Sequence, residues 1–275
     1  MKNRYYSDGG SDYVISRLSE EFAFSGISVE VSDVFSLLES SRLPDFAVMW
    51  DKDVSGARML ERRGVRLFNR ADSVRICDDK YLTYAETYGI CDYPETFCAP
   101  LEYSLSPQFD EEFSDRVSAL GFPLVAKPAV GSLGSGVTVI NDFDALKKFC
   151  LENSGKRRIM YQSFVKSSEG RDIRLYVIGG KTVAAVKRVN EHSFKSNAEA
   201  GASTYLYDAP SDMVRIAERL CMHLKLDYAS VDFFDCEKPL LNEINSNAYF
   251  HGAETACGVN IARRYVGYIA EVMKC

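Results

Sequence analysis

Glu243 and Asn245 stand two residues apart in Leu240-Leu241-Asn242-Glu243-Ile244-Asn245, a segment that reads as a strand in which polar residues interrupt the apolar ones. Alternation along a strand turns both side chains to one face. Asp232, in Ala229-Ser230-Val231-Asp232-Phe233-Phe234, can join them across a strand pair. Two carboxylates and an amide oxygen are hard donors, suited to magnesium (or manganese) bridging nucleotide phosphates and poorly suited to zinc or copper. Asp and Asn also serve as caps and turn residues, which is the commoner use of such a triplet in isolation. Polar groups inside apolar strands are costly unless something binds them, and that favours a metal.

A second candidate is the segment Pro128-Ala129-Val130-Gly131-Ser132-Leu133-Gly134-Ser135-Gly136, between the apolar runs Leu124–Lys127 and Val137–Ile140. Its spacing rejects three common nucleotide motifs. A P-loop requires Lys after the last glycine, where Val137 stands. A dinucleotide fingerprint requires GxGxxG between a strand and a helix, whereas the order here is Gly131-x-x-Gly134-x-Gly136 between two strands. A protein kinase carries its glycines before the catalytic lysine and an HRD motif after them; here Lys127 precedes the glycines and no HRD occurs. What remains is a hairpin whose backbone N–H groups, with Ser132 and Ser135, can cover phosphates. An ordinary loop fits this segment equally well. Lys80, Lys127, Arg174, Lys187, Arg188 and Lys195 supply cations able to neutralise a triphosphate and a transferring phosphoryl group. A solvated surface charge is the default role for each taken singly.

The elements that must position these residues follow from periodicity. Asp45–Trp50 and Val65–Phe68 read as short strands around a helix at Arg58–Arg63, an alternation that favours a small parallel sheet. Cys77–Tyr88 reads as one helical stretch, and Asp142 caps a helix running to Leu151. Asp172–Ile178, the Gly179-Gly180 turn and Lys181–Val189 form a hairpin. Ser211 is expected to cap a helix to Leu224, Tyr228–Phe234 pairs with Pro239–Asn245, and a final amphipathic helix begins near Asn260. The class is α+β with an α/β beginning.

The chain has 275 residues, 46% of them hydrophobic, enough for a substantial core and for nearly two domains or one large one. Lys plus Arg is 33 against 39 for Asp plus Glu, a formal net charge of −6. That balance argues against nucleic acid or an anionic membrane as partner, so any anion must be gripped locally. Met1–Gly10 has no apolar stretch after its basic residues, unlike a signal peptide, and apolar runs such as Phe46–Trp50 are too short to span a bilayer. The eight cysteines include no CxxC pair and read as reduced thiols of a cytoplasmic protein.

The order of these pieces resembles the ATP-grasp superfamily, specifically its RimK-like ligases, from about Asp45 to the C-terminus. The resemblance rests on Asp79-Lys80, Pro123–Pro128 with its loop to Gly136, Met160–Val165, and Gly170-Arg171-Asp172-Ile173-Arg174. It continues through Phe194–Asn197 before Gly201, Val231-Asp232, and Asn242–Asn245. It implies a pre-ATP-grasp α/β domain (1–78), a central lobe with a Gly-rich lid (79–158) and a C-terminal lobe with a magnesium site (159–275). By the same resemblance, Lys80 and Lys127 contact the phosphates, Lys127 also lies near the adenine, and the Gly131–Gly136 loop closes over them. Gln162, Ser163, Phe164 and Val165 form the hinge at the adenine edge, and Asp172 lies near the ribose. Lys195 and Asn197 face the nucleotide and metals, while Asp232, Glu243 and Asn245 hold magnesium. Lys127, Arg174, Arg188 and Asn245 are the implied catalytic set.

The implied reaction is ATP-dependent: a carboxylate becomes an acyl phosphate, which an amine captures to give an amide, ADP and phosphate. The substrate class is an amino acid or peptide with a free carboxylate, plus an amine acceptor; a homo-oligomer remains open. The same residues would serve a peptide macrocyclase, or an ATP-binding regulator without turnover. In the metal set, Asp232→Asn is expected to be the mildest change because a neutral oxygen remains. Two departures from the family lie near the acceptor site: Ala200, preceded by Glu199, stands where a basic residue is usual, and Asn245-Ser246-Asn247-Ala248-Tyr249-Phe250-His251-Gly252 replaces Asn-x-Ser/Pro-Gly. These departures lead to the expectation of a neutral or basic amine, with His251 a candidate for orienting substrate.

Overall fold

Short polar side chains decide where the helices of the N-terminal region begin. The computed structural model describes residues 1–5, 8–100, 111–131, 134–153, 155–194, 196 and 201–274. Helix α1 (Gly9–Phe24) starts where Asp8 accepts the Ser11 N–H, and α2 (Val34–Glu39) where Asp33 accepts that of Ser36. Strand β1 (Phe46–Val48) leads to α3 (Val54–Arg62), which begins earlier than its periodicity suggests because Asp53 accepts the Gly56 N–H. Strand β2 (Arg66–Phe68) then pairs parallel with β1, in the sense expected from the βα alternation. The expected helix from Cys77 is in fact two, α4 (Ala71–Asp78) and α5 (Lys80–Thr87). Asp79 separates them: its extended backbone and its carboxylate, which accepts from Tyr81 N and Leu82 N, start a new helix at Lys80.

The middle of the chain builds a four-stranded antiparallel sheet. Strand β3 (Thr96–Cys98) and helix α6 (Glu111–Ser118) precede β4 (Leu124–Pro128), β5 (Thr138–Ile140), α7 (Phe143–Asn153) and β6 (Ile159–Ser163). The spatial order is β3-β6-β4-β5, so the Gly-rich segment is the tip of the β4–β5 hairpin. Asp142 caps α7 through Ala145 N at 2.8 Å. Val117, Leu124, Leu146 and Tyr161 close the core beneath this sheet.

A five-stranded antiparallel sheet follows. Its strands are β7 (Arg171–Ile178), β8 (Lys181–Val189), β9 (Ser203–Leu206), β10 (Tyr228–Phe234) and β11 (Leu241–Asn245), in the order β11-β10-β7-β8-β9. Helix α8 (Ser211–His223) lies between β9 and β10, and α9 (His251–Cys257) and α10 (Ile261–Met273) end the chain. Ser211 is the first helical residue and not the cap; Pro210 occupies the cap position without a side-chain bond, while Asn260 does cap α10. Ile173, Leu175, Val177, Val231 and Phe233 pack with α8 residues such as Ala217 and Leu220. Tyr176, Ile178, Val186 and Tyr228 face the other way, toward Val14, Phe22, Trp50, Phe68, Phe250 and Tyr265. Alternation therefore sends Asp172, Arg174, Arg188 and Asp232 to this second face. Among the described residues no helix is long and apolar enough to cross a membrane. The seven described cysteines are free thiols.

Candidate active site

The functional face of the five-stranded sheet, the inner side of the four-stranded sheet and the N-terminal segment enclose a chamber of about 860 Å³. Lys80, Lys127, Gly134, Gln162, Ser163, Phe164, Val165, Asp172, Arg174, Arg188, Asp232, Glu243 and Asn245 all line it. Ser135 and Gly136 do not. At Gly136 the reason for glycine is local: φ is +72°, and a Cβ would meet Arg157 Nη1 at 2.8 Å and Pro128 Cγ at 2.9 Å. Lys187 is also apart from the chamber, paired with Asp235 at 2.6 Å. Ser132, Lys195, Asn197, Glu199 and Ala200 lie outside the described residues.

Strand register assembles a buried ionic cluster on the chamber floor. Arg174 stands opposite Asp232 across β7 and β10, and Asp172 opposite Arg188 across β7 and β8. Arg174 donates from Nε to Asp232 Oδ1 (2.8 Å) and from Nη2 to Oδ2 (2.6 Å). Arg188 donates to both oxygens of Asp172 and, at 3.1 Å, to Asp232 Oδ2. Ser230 Oγ donates to Asp232 Oδ1 (3.2 Å), and Ser196 Oγ to Asp172 Oδ2 (2.5 Å). Burial acts to raise the Asp232 carboxyl, but Arg174 and Arg188 outweigh it and hold it below the usual carboxylate range.

Two expected roles meet competition here. Asp232, 1% exposed, receives four donors into its roughly four lone-pair sites, so a metal would have to displace one of them. Asp172 is likewise engaged by Arg188 and Ser196 in place of a free acceptor for a ribose. Both guanidinium groups are held in place, as electrostatic stabilisation requires.

The lysines lie across from the edge strand. Lys80 Nζ donates to Gly131 O (2.7 Å) and pairs with Glu243 Oε1 at 3.2 Å. Lys127 Nζ donates to Asn242 Oδ1 (2.9 Å) and lies 5.3 Å from the centre of the Phe234 ring. Burial, reinforced by Lys80 and opposed by Glu243, brings Lys127 down to about 8. A buried cation with a depressed pKa and only neutral hydrogen-bonding partners suits an arriving anion. Asn242 is not legible as a site residue, because alternation puts it on the face opposite Glu243. A bulge opposite Asp232-Phe233 admits the extra residue and brings both side chains to the chamber.

The donor chemistry fits a nucleotide with magnesium. Asn245 Nδ2 donates to Glu243 Oε2 (3.3 Å), leaving Asn245 Oδ1 and the partly exposed Glu243 carboxylate as hard oxygen ligands. Gln162 donates from Nε2 to Thr96 (3.0 Å), while its buried Oε1 accepts nothing among the described residues. That orphan acceptor beside Ser163–Val165 matches an exocyclic amino group such as adenine carries. The chamber is also lined by Asn3, Trp50 and Asp51, which no motif singles out, and by Asn247 and Tyr249 of the segment that departs from the family pattern. His251 lines the same end, its ring 4.3 Å from that of Tyr13.

Comparison with known proteins gives this geometry its context. The chain is 26% identical over 236 residues to β-citrylglutamate synthase B of Danio rerio, which matches 84% of this chain and 57% of that protein. It is 28% identical over 294 residues to a probable α-L-glutamate ligase of Citrobacter koseri, covering 98% and 95% of the two chains. The chain thus spans less than two thirds of the length of the first of these relatives. In structure it resembles the D-alanine–D-alanine ligase of Bacillus anthracis, with a TM-score of 0.74, 19% identity, and coverage of 98% and 94%. The RimK-like ATP-grasp domain model matches residues 101–269, more than half of the sequence and all five strands of the larger sheet, and the chain belongs to that family.

Proposed function

We propose that this protein is an ATP-dependent carboxylate–amine ligase. The observation that carries the reading is the convergence of Lys80, Lys127, Arg174 and Arg188 with the oxygen donors Glu243 and Asn245 in one chamber. Four cations facing two hard ligands suit a triphosphate and its divalent ion, and a reaction whose transition state spreads negative charge. The names of the relatives above, a synthase and a ligase, support the same class.

Glu243 and Asn245 would hold magnesium, joined by Asp232 once it yields an arginine contact. The ion would supply charge neutralisation at the phosphates. Lys127 and Lys80 hold the phosphate chain, Gln162 Oε1 and the Ser163–Val165 backbone read the base, and Gly134, at the tip of the β4–β5 hairpin, covers the phosphates. Arg174 and Arg188 orient the substrate carboxylate toward the terminal phosphoryl group. Transfer gives an acyl phosphate and ADP. The amine then attacks the acyl carbon, phosphate leaves with the carbon–oxygen bonding pair, and the amine loses a proton. The walls contribute positioning and exclusion of water, without a covalent enzyme nucleophile.

The direct test supplies ATP, magnesium and a pool of amino acids and peptides, and follows ADP together with the masses of the products. Loss of one water between two components, dependent on both, is expected. Within one peptide, the same loss would identify a macrocyclase. ATP binding without turnover on any pool would make the protein a regulator and refute the ligase reading.

A further inference from the structure

Amide formation releases protons that something in the chamber has to accept. An amine arrives as its ammonium and must give up a proton before its nitrogen can attack an acyl carbon. The carboxylates on the chamber wall are poorly placed to take it. Asp172 and Asp232 are held by arginines, Glu243 by Lys80 and Asp78 by Lys52, while Asp51 faces the Met1 amino group. Glu169 follows the Ser163–Val165 hinge, at the end assigned above to the nucleotide base. Among the described residues His251 is the one imidazole on the wall. Imidazole is the side chain that ordinarily takes up and returns a proton near neutral pH.

Three contacts fix where that ring stands. Two residues before it, the Tyr249 carbonyl accepts from the Tyr176 hydroxyl (2.7 Å), and Tyr176 lies two residues along β7 from Arg174, on the same face. One residue after it, Gly252 lies against Thr204: a Cβ there would come 3.1 Å from Thr204 Oγ1, and Thr204 is the register partner of Arg188 across β8 and β9. The chain on both sides of His251 is thus tied down beside the two arginines. The ring itself packs 4.3 Å from that of Tyr13, which donates to Glu254 Oε2 (2.7 Å). Glu254 also pairs with Arg17 at 3.5 Å, and Asp8 at the start of α1 accepts from the Tyr249 hydroxyl (3.0 Å). These, with the paired Arg188, are the titratable and charged groups that the surrounding elements bring to His251. Among the described residues neither ring nitrogen has a hydrogen-bond partner, and the side chain is exposed where it lines the chamber.

We infer that His251 is the base of the amide-forming step. A free ring nitrogen takes one proton from the acceptor ammonium, and the lone pair so released forms the carbon–nitrogen bond at the acyl carbon. The carbon–oxygen bond breaks with its electron pair on the departing phosphate, which takes the second proton of the amine. His251 then returns the first proton to water. The inference rests on the ligase reading, and it places the acceptor amine at the α9 end of the chamber, next to Arg174 and Arg188.

The test supplies ATP, magnesium and the twenty amino acids with their dipeptides, which offer both carboxylates and amines, and adds hydroxylamine as a competing acceptor. Hydroxylamine is unprotonated at pH 7, so it captures an acyl phosphate as the hydroxamate without needing a base. His251→Gln and His251→Asn are each expected to lower amide formation at pH 7 about a hundredfold and to raise the ratio of hydroxamate to amide by a similar factor. The amide deficit is expected to shrink as the pH rises from 7 to 9, because more of the amine then arrives already unprotonated. A purely structural loss would lower both products alike at every pH. An unchanged ratio, a deficit independent of pH, or equal loss of both products in both variants overturns the inference and retains the ligase. Absence of both hydroxamate and amide with the wild-type protein removes the ligase reading, and the inference with it.

Discussion

Neutralising Asp232 is the perturbation for which sequence and structure give opposite rankings. As one of three metal ligands, Asp232→Asn looks mild, since a neutral oxygen survives. In the folded chain, Asp232 is 1% exposed and lies between two guanidinium groups, taking 2.8 and 2.6 Å bonds from Arg174 and a 3.1 Å bond from Arg188. The substitution leaves two buried arginines with one carboxylate, Asp172, and sets an amide N–H₂ against guanidinium donors. Breaking a buried pair by removing one partner costs about 3–5 kcal/mol. For a chain of this size that corresponds to a fall in Tm of roughly 6–20 °C. Differential scanning calorimetry of the nucleotide-free protein reads it without reference to turnover. The double variant Arg174→Gln/Asp232→Asn removes one cation together with the anion and should recover a substantial part of the loss, a coupling that a thermodynamic cycle isolates. A single variant melting within 2 °C of the wild type, or a double variant that melts at the sum of the two single losses, would refute the argument.

Three further outcomes are expected. Glu243→Gln and Asn245→Ala should each lower ADP formation at least about tenfold while the melting profile stays within a few degrees of the wild type, because the first takes the charge from a ligand oxygen that no arginine contacts, the second removes a ligand oxygen, and neither is buried in the core; unchanged ADP formation at saturating magnesium would remove the metal assignment. Lys127 is held down to about 8 chiefly by its burial, and phosphate favours its protonated form. ADP affinity should therefore be flat below pH 8 and fall by up to about tenfold per unit above it, as binding must then recapture a proton. Calorimetric titration from pH 7 to 9.5 checks this, and the same slope in the always-charged Lys127→Arg would exclude Lys127 as its source. Gly170, just before β7, has φ +66°, and a Cβ there would lie 2.3 Å from Asn190 O and 2.7 Å from Ser193 O. Gly170→Ala should thus cost about 1–3 kcal/mol from backbone conformation alone and lower Tm by at least about 3 °C; an unshifted melt would contradict it.

The pieces legible in the amino-acid sequence are those governed by neighbours a few residues away. Asp142 reads as a cap because a cap is a bond to an N–H three residues on, and the start of the last helix near Asn260 is legible from its apolar periodicity. The 171–178 and 181–189 hairpin is readable because Gly179-Gly180 supports only a tight turn between alternating strands. Glu243 and Asn245 share a face through alternation alone, and the order of the motifs is what points to the family. Tertiary structure decided what depends on register and on distant parts of the chain. The pairing of Arg174 with Asp232, 58 residues apart, exists only because β7 and β10 align in one register of several that local preference allows. The bulge that turns Asn242 toward Lys127 breaks the alternation a reader of sequence must assume. Trp50 and Asp51 reach the chamber because β1, α1, α10 and the five-stranded sheet share a core, and Asn247 bonds the Asp51 carbonyl across 196 residues. No local signal marks Trp50 or Asp51 as site residues, since what places them is the sum of many weak packing contacts, and that sum is defined only once the whole chain has folded.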